Sequence, residues 1–456
     1  MSALAQYFKY FGYNVAGYDI NCSKITDFLI NKGIDIHFED EPAIIPSIYK
    51  KTDNTLVVYT PAVPTTNKEF DYFQKNNFQI KKRAEVLGIL TNDNRNVAIA
   101  GTHGKTTTSS FITHIFNTAE ILKAAFVGGV MKNYNSNFII NPQKNNGFVV
   151  LEADEYDRSF LQLTPEIAII NSVDPDHLDI YNSTEEFESA FVEFAKLVRS
   201  TLIVNEKVGL NFTNKKYTFG FNEKSDFQAH NIRQGNRKQI FDIKHPNGIC
   251  KDVEIKLPGK INIENATAAF ASAYFANIKI DLIKMALCSF QGTERRFDIV
   301  FENEKNILIN DYAHHPTEIE GLANAVKTFF PNRKTTAIFQ PHLYSRTRDF
   351  AKQFAEELSK FHTVILLPIY PARELPIEGV ESSIIFDCIH TKNKYICTQN
   401  NLIEFLDKIQ NDVVITIGAG NIDNLVPLII EFLKNKSKKW VFLEKNIKFL
   451  LQFWSF

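Results

Sequence analysis

The sequence predicts an α/β protein built from several doubly wound sheets, and three observations support that prediction. Apolar runs of four to six residues recur along the chain, and they are rich in β-branched residues. Glycine, proline or aspartate commonly follows them, and helix-like stretches separate them. Short buried strands that alternate with helices form parallel sheets covered on both faces. The predicted strands lie at 55–59, 97–100, 148–151, 167–170, 336–339, 364–367 and 413–417.

Three domains and a tail are predicted from the chain length and from two polar breaks, at 91–96 and near 292–296. The chain has 456 residues, which suits two or three domains. Within the second domain, alternation between 216 and 257 indicates an insertion of antiparallel strands. The predicted domains and tail are 1–93, 94–294, 295–435 and 436–456.

Composition narrows the class of protein. Apolar residues make up 44% of the chain, charged residues make up 23%, and the formal net charge is −1, which argues against a nucleic-acid partner. The five cysteines include no C-x-x-C pair, so we expect a reducing, cytoplasmic location rather than a zinc or disulfide framework. We also expect no signal peptide and no integral membrane segment, since no window of about 18 to 20 uncharged apolar residues occurs.

A phosphate-binding loop follows the strand at 97–100. A strand that ends in Gly-x-x-Gly-Lys-Thr and leads into a helix directs backbone N–H groups and the helix dipole at an anion. Ile99 stands where the stricter pattern has a glycine, so this loop is a shorter one. The alternative, a glycine turn with a surface lysine, fits the run of three threonines less well. The predicted nucleotide-binding residues are Gly101, Thr102, His103, Gly104, Lys105, Thr106 and Thr107.

A magnesium site is predicted beside this loop. Glu152 follows the strand at 148–151, and His177 lies in the polar stretch after the strand at 167–170. Ligands of open parallel sheets bind beyond the carboxyl ends of the strands, so these loops should converge with the hydroxyl of Thr106. We therefore expect Thr106, Glu152 and His177 to hold Mg²⁺ against bound phosphates.

Polar segments also follow four strands of the third domain, at 310–316, 340–349, 370–374 and 418–421. Arg346 and Arg348 are separated by one residue and suit a carboxylate or phosphate. The neighbouring His314 and His315 lack a third ligand with suitable spacing, so a zinc site is not expected.

Eight segments, in this order and spacing, resemble the Mur ligases of peptidoglycan synthesis: GTHGKTTT, EADE, DPDH, GTERRFD, DYAHHPTE, FQPHLYSRTRDF, YPARELPI and GAGNI. The resemblance extends over residues 1–433. It implies a Rossmann-like N-terminal domain that binds UDP, a central P-loop-type ATPase domain and a Rossmann-like C-terminal domain that binds the amino acid.

The resemblance also implies roles for single residues. Lys105 and Thr106 would hold ATP phosphates and Mg²⁺, and Glu152 and His177 would lie on the metal side. Asn262 and Asn265 would contact adenine. Arg296 and Asp311 would contact the phosphates or the ribose of the nucleotide. His314, Arg346 and Arg348 would contact the incoming amino acid and the reacting carboxylate. A general base must take the ammonium proton, and His177 and His314 are both candidates.

Two segments bear on the reaction within the family, QPHLYSRTRD and YPARELPI. They favour the member that joins L-alanine to the carboxylate of UDP-N-acetylmuramate through an acyl phosphate, with ATP and Mg²⁺. The alternatives are a ligase that recycles a whole tripeptide onto the same nucleotide sugar and a non-catalytic ATP-binding paralogue. We expect a monomer or a dimer.

Both ends of the chain differ from the family pattern. Relatives carry a strand and a glycine-rich turn just before Met-Ser-Ala-Leu-Ala, and here Met1 is that methionine. A start codon assigned too late is the favoured explanation, and a truncated paralogue is the alternative.

After Met1, the sequence predicts a helix that ends at Gly12 and then a strand at 14–17. For the aromatic tail, a packed terminal helix or a sequence artefact is favoured over a helix that binds a membrane surface or a partner.

Overall fold

The structure is a computed structural model that describes residues 1–436 except 62, 65, 175–180, 182, 236, 373 and 411. The predicted tail therefore lies outside the described residues, apart from Lys436. The helices are α1 (Ser2–Tyr10), α2 (Lys24–Asn31), α3 (Lys68–Lys75), α4 (Arg83–Thr91), α5 (Lys105–Thr118), α6 (Thr184–Lys196), α7 (Lys260–Phe275), α8 (Ile280–Ser289), α9 (Pro316–Phe329), α10 (Tyr344–Leu358), α11 (Ser383–Cys388) and α12 (Leu402–Asp407). The chain is helical again at 426–436.

The strands alternate with these helices over most of the chain. They are β1 (Ala16–Tyr18), β2 (Asp35–His37), β3 (Leu56–Tyr59), β4 (Gln79–Lys82), β5 (Arg95–Ala100), β6 (Leu122–Met131), β7 (Ser136–Ile140), β8 (Phe148–Glu152), β9 (Ile167–Ile170), β10 (Thr201–Asn205), β11 (Lys216–Gly220), β12 (Phe227–Gly235), β13 (Lys238–His245), β14 (Gly248–Ile255), β15 (Asp298–Glu302), β16 (Ile307–Asp311), β17 (Thr335–Phe339), β18 (Thr363–Leu366), β19 (Asn393–Ile396) and β20 (Val413–Ile417).

The chain forms two compact units. Among the described residues, the first contains those of 1–256 and 261–293, and the second contains those of 257–260 and 294–436. The first unit is organised around a ten-stranded sheet with the order β14-β13-β12-β11-β10-β9-β5-β8-β6-β7. At its centre β5 pairs in parallel with β9 on one side and β8 on the other, so the loops after all three strands lie at one edge.

Residues 1–93 form two separate parallel pairs of strands, β1 with β2 and β3 with β4. Helix α1 covers the predicted segment, and Gly12 beyond its end has a φ of +83°, where glycine is favoured. The strand that follows is β1 at 16–18, two residues later than its predicted start.

The N-terminal helices pack directly on the ten-stranded sheet. Leu4 of α1 and Leu87 of α4 are buried in one apolar cluster with Phe126 and Phe138 of the β6–β7 hairpin. Helix α1 is also tied to β7, because the Gln6 amide donates to the Oδ1 of Asn137 at 3.0 Å. Residues 1–93 therefore share a core with the sheet that follows them.

The predicted insertion is present, with one correction. β12, β13 and β14 pair antiparallel as expected. However, β11 pairs in parallel with both β10 and β12, so the first strand of the segment continues the parallel sheet. The alternating residues at 216–220 did not reveal this, because one strand's pattern does not encode the direction of its neighbour.

The second unit contains a six-stranded sheet with the order β15-β16-β20-β17-β18-β19. β15 is antiparallel to β16, and the other neighbours are parallel. Apolar clusters cover both faces, one around Phe339 and Phe354 and the other around Ile338 and Ile429. This arrangement explains why the strand runs are apolar at consecutive positions.

The fold class is thus confirmed as α/β with mixed sheets of mainly parallel strands. The boundaries at 93, 294 and 436 stay predictions. No helix within the described residues is long and apolar enough to cross a membrane.

The shared core gives a first prediction. Leu87→Ala should lower the free energy of unfolding by about 2–5 kcal/mol, because Leu87 is only 4% exposed and a cavity would remain. Ile89→Ala in the same helix is the control, since Ile89 is 61% exposed and should change stability by no more than about 0.5 kcal/mol. Chemical denaturation measures both; equal losses would contradict the packing of α4 on the sheet.

Candidate functional site

The loop between β5 and α5 has the backbone geometry of an anion-binding turn. Gly101 has a φ of +129°, and Gly104, the N-cap of α5, has a φ of +80°. A Cβ on Gly104 would lie 2.6 Å from the Asn265 Oδ1, and a Cβ on Gly101 would lie 2.8 Å from the Ser172 nitrogen. Both positions therefore need glycine for conformation and for space.

Ser172, after β9, braces this loop. Its hydroxyl oxygen accepts the backbone N–H of His103 at 2.9 Å and is 2.9 Å from the Thr102 hydroxyl. The Thr102 oxygen in turn accepts the N–H of Asp174 at 3.1 Å. The loop and the end of the strand are thus joined by hydrogen bonds in which side-chain hydroxyls take part.

A second brace joins the first turn of α5 to α7. The Thr108 hydroxyl donates to Asn265 Oδ1 at 3.1 Å and accepts from Asn171 at 3.0 Å. The Asn265 amide also lies 3.3 Å from Asn262 Oδ1, one helical turn earlier. Both predicted adenine-contacting residues therefore lie in the first turns of α7, next to the loop. Their role stays a prediction.

Lys105 crosses the loop and is bound by its own surroundings. Its ammonium donates to the Gly101 carbonyl at 2.6 Å and to both carboxylate oxygens of Glu155 at 2.8 and 2.7 Å. Burial lowers the pKa of Lys105, but attraction to Glu155, Asp154 and Glu152 outweighs burial and raises it. Lys105 is therefore a cation at neutral pH.

The predicted magnesium ligands that the structure describes lie together. Glu152 ends β8, and its Oε1 accepts the N–H of Gly128 at 2.7 Å and the Ser109 hydroxyl at 3.1 Å. A Cβ on Gly128 would lie 2.6 Å from Glu152 Oε2 and 3.0 Å from the Thr106 hydroxyl. Both oxygens thus flank the same glycine. His177 lies outside the described residues.

In the second unit, Asp311 ends β16 and is buried. Its carboxylate accepts the backbone N–H of Phe297 at 2.6 Å and of Ala313 at 2.8 Å. Burial raises the pKa of Asp311 to about 6, and these hydrogen bonds and Arg296 only partly oppose that effect. The carboxylate organises the chain around the end of its strand.

Two arginines meet on Tyr312. The guanidinium carbons of Arg295 and Arg296 lie 4.8 and 4.9 Å from the ring centroid. Arg295 also donates to the carbonyls of Gly418 at 2.7 Å and Gly420 at 3.1 Å, which holds the loop after β20. Arg296 is the residue predicted to contact the phosphates or the ribose of the nucleotide, whereas no role was predicted for Arg295.

His314 has a defined tautomer. Its Nδ1 is 3.0 Å from the Tyr312 carbonyl and 3.2 Å from a carboxylate oxygen of Glu318, so the proton belongs on Nδ1. Nε2 of the neutral ring is then a proton acceptor. The ring of His342 lies 6.0 Å from that of His314 and stacks on Tyr370 at 5.8 Å.

The paired arginines of α10 differ in environment. Arg346 is 8% exposed, whereas the Arg348 side chain is 55% exposed and pairs with its neighbour Asp349 at 2.7 Å. Leu343 precedes the helix with a φ of +72°, a strained value for leucine. Burial separates two arginines that the sequence treated alike.

Sequence reasoning missed several residues that build these sites. They are Gly128, Glu155, Asn171, Ser172 and Arg295. Gly128 and Gly129 interrupt an apolar strand, which is a signal for close backbone approach, and Asn171 and Ser172 stand directly after a predicted strand. The structure shows no cluster of three or more His, Cys, Asp or Glu side chains able to hold a metal ion in the part of the chain that it describes.

Comparison with known protein families matches three models along the chain. The Mur ligase family catalytic domain matches residues 1–95, the Mur ligase middle domain matches 99–273, and the Mur ligase glutamate ligase domain matches 295–420.

Individual relatives extend over nearly the whole chain. UDP-N-acetylmuramate–L-alanine ligase of Flavobacterium psychrophilum is 48% identical over 438 residues, 96% of each chain. Its namesake from Cytophaga hutchinsonii is 44% identical over 432 residues, 93% of each chain. Among solved structures, UDP-N-acetylmuramate-alanine ligase of Thermotoga maritima is 26% identical with a TM-score of 0.81, covering 96% of this chain and 97% of that one. With this identity over almost its full length, the chain belongs to the Mur ligase family.

Proposed function

We propose that this protein is an ATP-dependent ligase that forms an amide between the carboxylate of UDP-N-acetylmuramate and the amine of L-alanine. The observation that supports it most is 41–48% identity, over at least 92% of the chain, to proteins named for that reaction. The reaction belongs to peptidoglycan precursor synthesis. We place it in the cytoplasm, in keeping with five free cysteines.

In the first unit, the residues around the phosphate loop suit activation of a carboxylate by ATP. The carboxylate oxygen attacks the γ-phosphorus of ATP, and the bond between that phosphorus and the β,γ-bridging oxygen breaks. The products are ADP and an acyl phosphate. Backbone N–H groups at the start of α5 and the Lys105 cation would stabilise charge on the transferring phosphoryl group. Asn262 and Asn265 would bind adenine beside the same helix end.

Thr106 and Glu152 fit a magnesium ion. Both offer hard oxygen donors, and both flank Gly128, where any Cβ would fill the space between them. We propose that they hold Mg²⁺ together with His177. Bound there, the ion would neutralise charge on the nucleotide phosphates.

In the second unit, we propose that Arg346 binds the carboxylate of L-alanine. We also propose that Arg296 and Asp311 contact the phosphates or the ribose of the nucleotide. The free amine attacks the acyl carbon, the tetrahedral intermediate collapses, and inorganic phosphate leaves. Before that attack the ammonium must lose a proton. Nε2 of His314 is a suitable acceptor in the tautomer described above, and His177 is the other candidate.

The proposal predicts phosphate release that requires every substrate. With ATP, Mg²⁺, UDP-N-acetylmuramate and L-alanine, the protein should release phosphate, and omission of any one should abolish release. A coupled phosphate assay measures this, with the Lys105→Met variant as the control. Removal of that cation should lower kcat at least about a hundredfold.

Two results of this assay would contradict the proposal. Release with the L-alanyl-γ-D-glutamyl-meso-diaminopimelate tripeptide but not with L-alanine would assign the recycling reaction. ADP and ATP binding without release under any substrate combination would assign a non-catalytic ATP-binding protein.

Burial predicts unequal roles for the two arginines of α10. Arg346→Lys should raise the KM for L-alanine about tenfold or more, because lysine cannot hold a carboxylate with two parallel hydrogen bonds. Arg348→Lys should change it less than about threefold, since that side chain is exposed and already paired. Initial rates against L-alanine concentration give both values; the reverse order would reject Arg346 as the carboxylate ligand.

The loop geometry predicts the effect of filling Gly104. Gly104→Ala should lower the free energy of unfolding by about 1–3 kcal/mol and weaken ADP binding, because its φ is +80° and Asn265 blocks the Cβ. Gly321→Ala is the control, because Gly321 lies inside α9 and an added Cβ would meet no atom within 4 Å apart from its chain neighbours and the backbone of its own helix. Calorimetric titration with ADP decides; unchanged affinity in Gly104→Ala would exclude this loop as the phosphate site.

A further inference from the structure

The phosphate-loop lysine has no donor to spare in the structure. An ammonium group has three N–H donors, and Lys105 has three acceptors: the Gly101 carbonyl and the two carboxylate oxygens of Glu155. The Lys105 side chain is 18% exposed and that of Glu155 is 2% exposed, so water does little to screen this ion pair. A phosphate oxygen can receive a hydrogen bond from Lys105 only if one of these acceptors is given up.

Glu155 is held firmly on its side of the pair. Its backbone carbonyl accepts the hydroxyl of Tyr181 at 2.5 Å, and Tyr181 is fully buried with its ring edge-on to Phe187 at 4.9 Å. Burial, the largest cause, raises the pKa of Tyr181 to about 12, so the hydroxyl remains a donor. The carboxylate is therefore presented to Lys105 by an anchored backbone.

The segment after Glu155 is strained in the same place. Asp157 and Arg158 have φ values of +54° and +53°, in the left-handed region that non-glycine residues seldom adopt. Ion pairs to elements on both sides hold this turn, from Lys82 to Asp157 at 2.5 Å and from Arg158 to Glu186. The surroundings thus maintain a costly backbone conformation directly beyond the carboxylate.

We infer that Glu155 is a positioning residue for Lys105: its carboxylate holds the ammonium across the phosphate loop before nucleotide binds, and phosphate oxygens replace it when nucleotide arrives. The inference rests on the proposed function. It adds that Glu155 and the nucleotide phosphates compete for Lys105. The charge of Glu155 positions the lysine, and the same charge opposes the move of the ammonium group from Glu155 to phosphate. Release of product is assisted when Lys105 returns to Glu155.

This role has a consequence that a purely structural ion pair would not have. Glu155→Gln keeps the side chain's shape but removes the competing charge, while the carboxylates of Asp154 and Glu152 still attract Lys105. ADP should then bind more tightly, with a Kd about threefold to tenfold lower. The value of kcat should fall, because the lysine is less well placed and product leaves more slowly. An ion pair that only supports the fold would instead give weaker ADP binding when broken.

The test is calorimetric titration of the full-length protein with ADP, together with kcat and the KM for ATP. Glu155→Asp keeps the negative charge, but its shorter side chain cannot accept two hydrogen bonds from Lys105 as well as glutamate does. This variant should give a Kd for ADP between the wild-type and Glu155→Gln values. If Glu155→Gln does not fold, Glu155→Asp alone decides by the direction of its shift. Equal or weaker ADP binding than wild type in the folded variant would overturn the inference.

Glu166→Gln is the matched control. Glu166 pairs with Arg95 at 2.8 Å at the opposite end of β5. The substitution therefore breaks a glutamate ion pair, a more exposed one, away from the loop. Its ADP affinity should equal that of wild type; a similar tightening there would also overturn the role of Glu155. A wild-type protein that binds no ADP would instead reject the proposed function itself.

Discussion

The parallel pairing of β5 with β8 and β9 is the constraint on which the proposed phosphate site depends. It places Ala100, Glu152 and Ile170 at one edge of the sheet, with Ile99 paired to Glu152 and Ala100 to Ile170. Three groups around the loop extend from that edge: Lys105 after β5, Glu155 after β8 and Ser172 after β9. A shift of register by one residue in β8 would turn Glu152, the last residue of that strand, to the other face of the sheet.

Buried charge gives this edge its chemistry. Lys105 and Glu155 are both largely removed from water, and their contact is the main interaction that offsets this burial, together with the Gly101 carbonyl. The ion pair keeps Lys105 charged at neutral pH, and in the role inferred for Glu155 an incoming phosphate must compete for that charge. Glu152 is held differently, by the Gly128 N–H and the Ser109 hydroxyl, and so keeps its other oxygen beside Thr106.

How far the sequence predicts this molecule depends on the range of the interactions. The strand at 167–170 was predicted to the residue, and that at 97–100 to within two, because a buried strand is a local run of apolar residues. The parallel pairing of β11 was not predicted, because strand direction follows from the path of the connecting chain. The turn from β5 into α5 at 101–106 was predicted because glycine, lysine and threonine lie next to one another.

The sequence by itself determined the class of fold, the position of the glycine loop after β5 and the carboxylate at the end of β8, since each follows from adjacent residues. Only the tertiary structure decided that Glu155 holds Lys105, that Ser172 braces the loop and that Arg346 is buried while Arg348 is exposed. These features arise from residues as far as 70 positions apart that packing brings within hydrogen-bond distance. Burial and partner choice are properties of that packing, and no local pattern in the chain contains them.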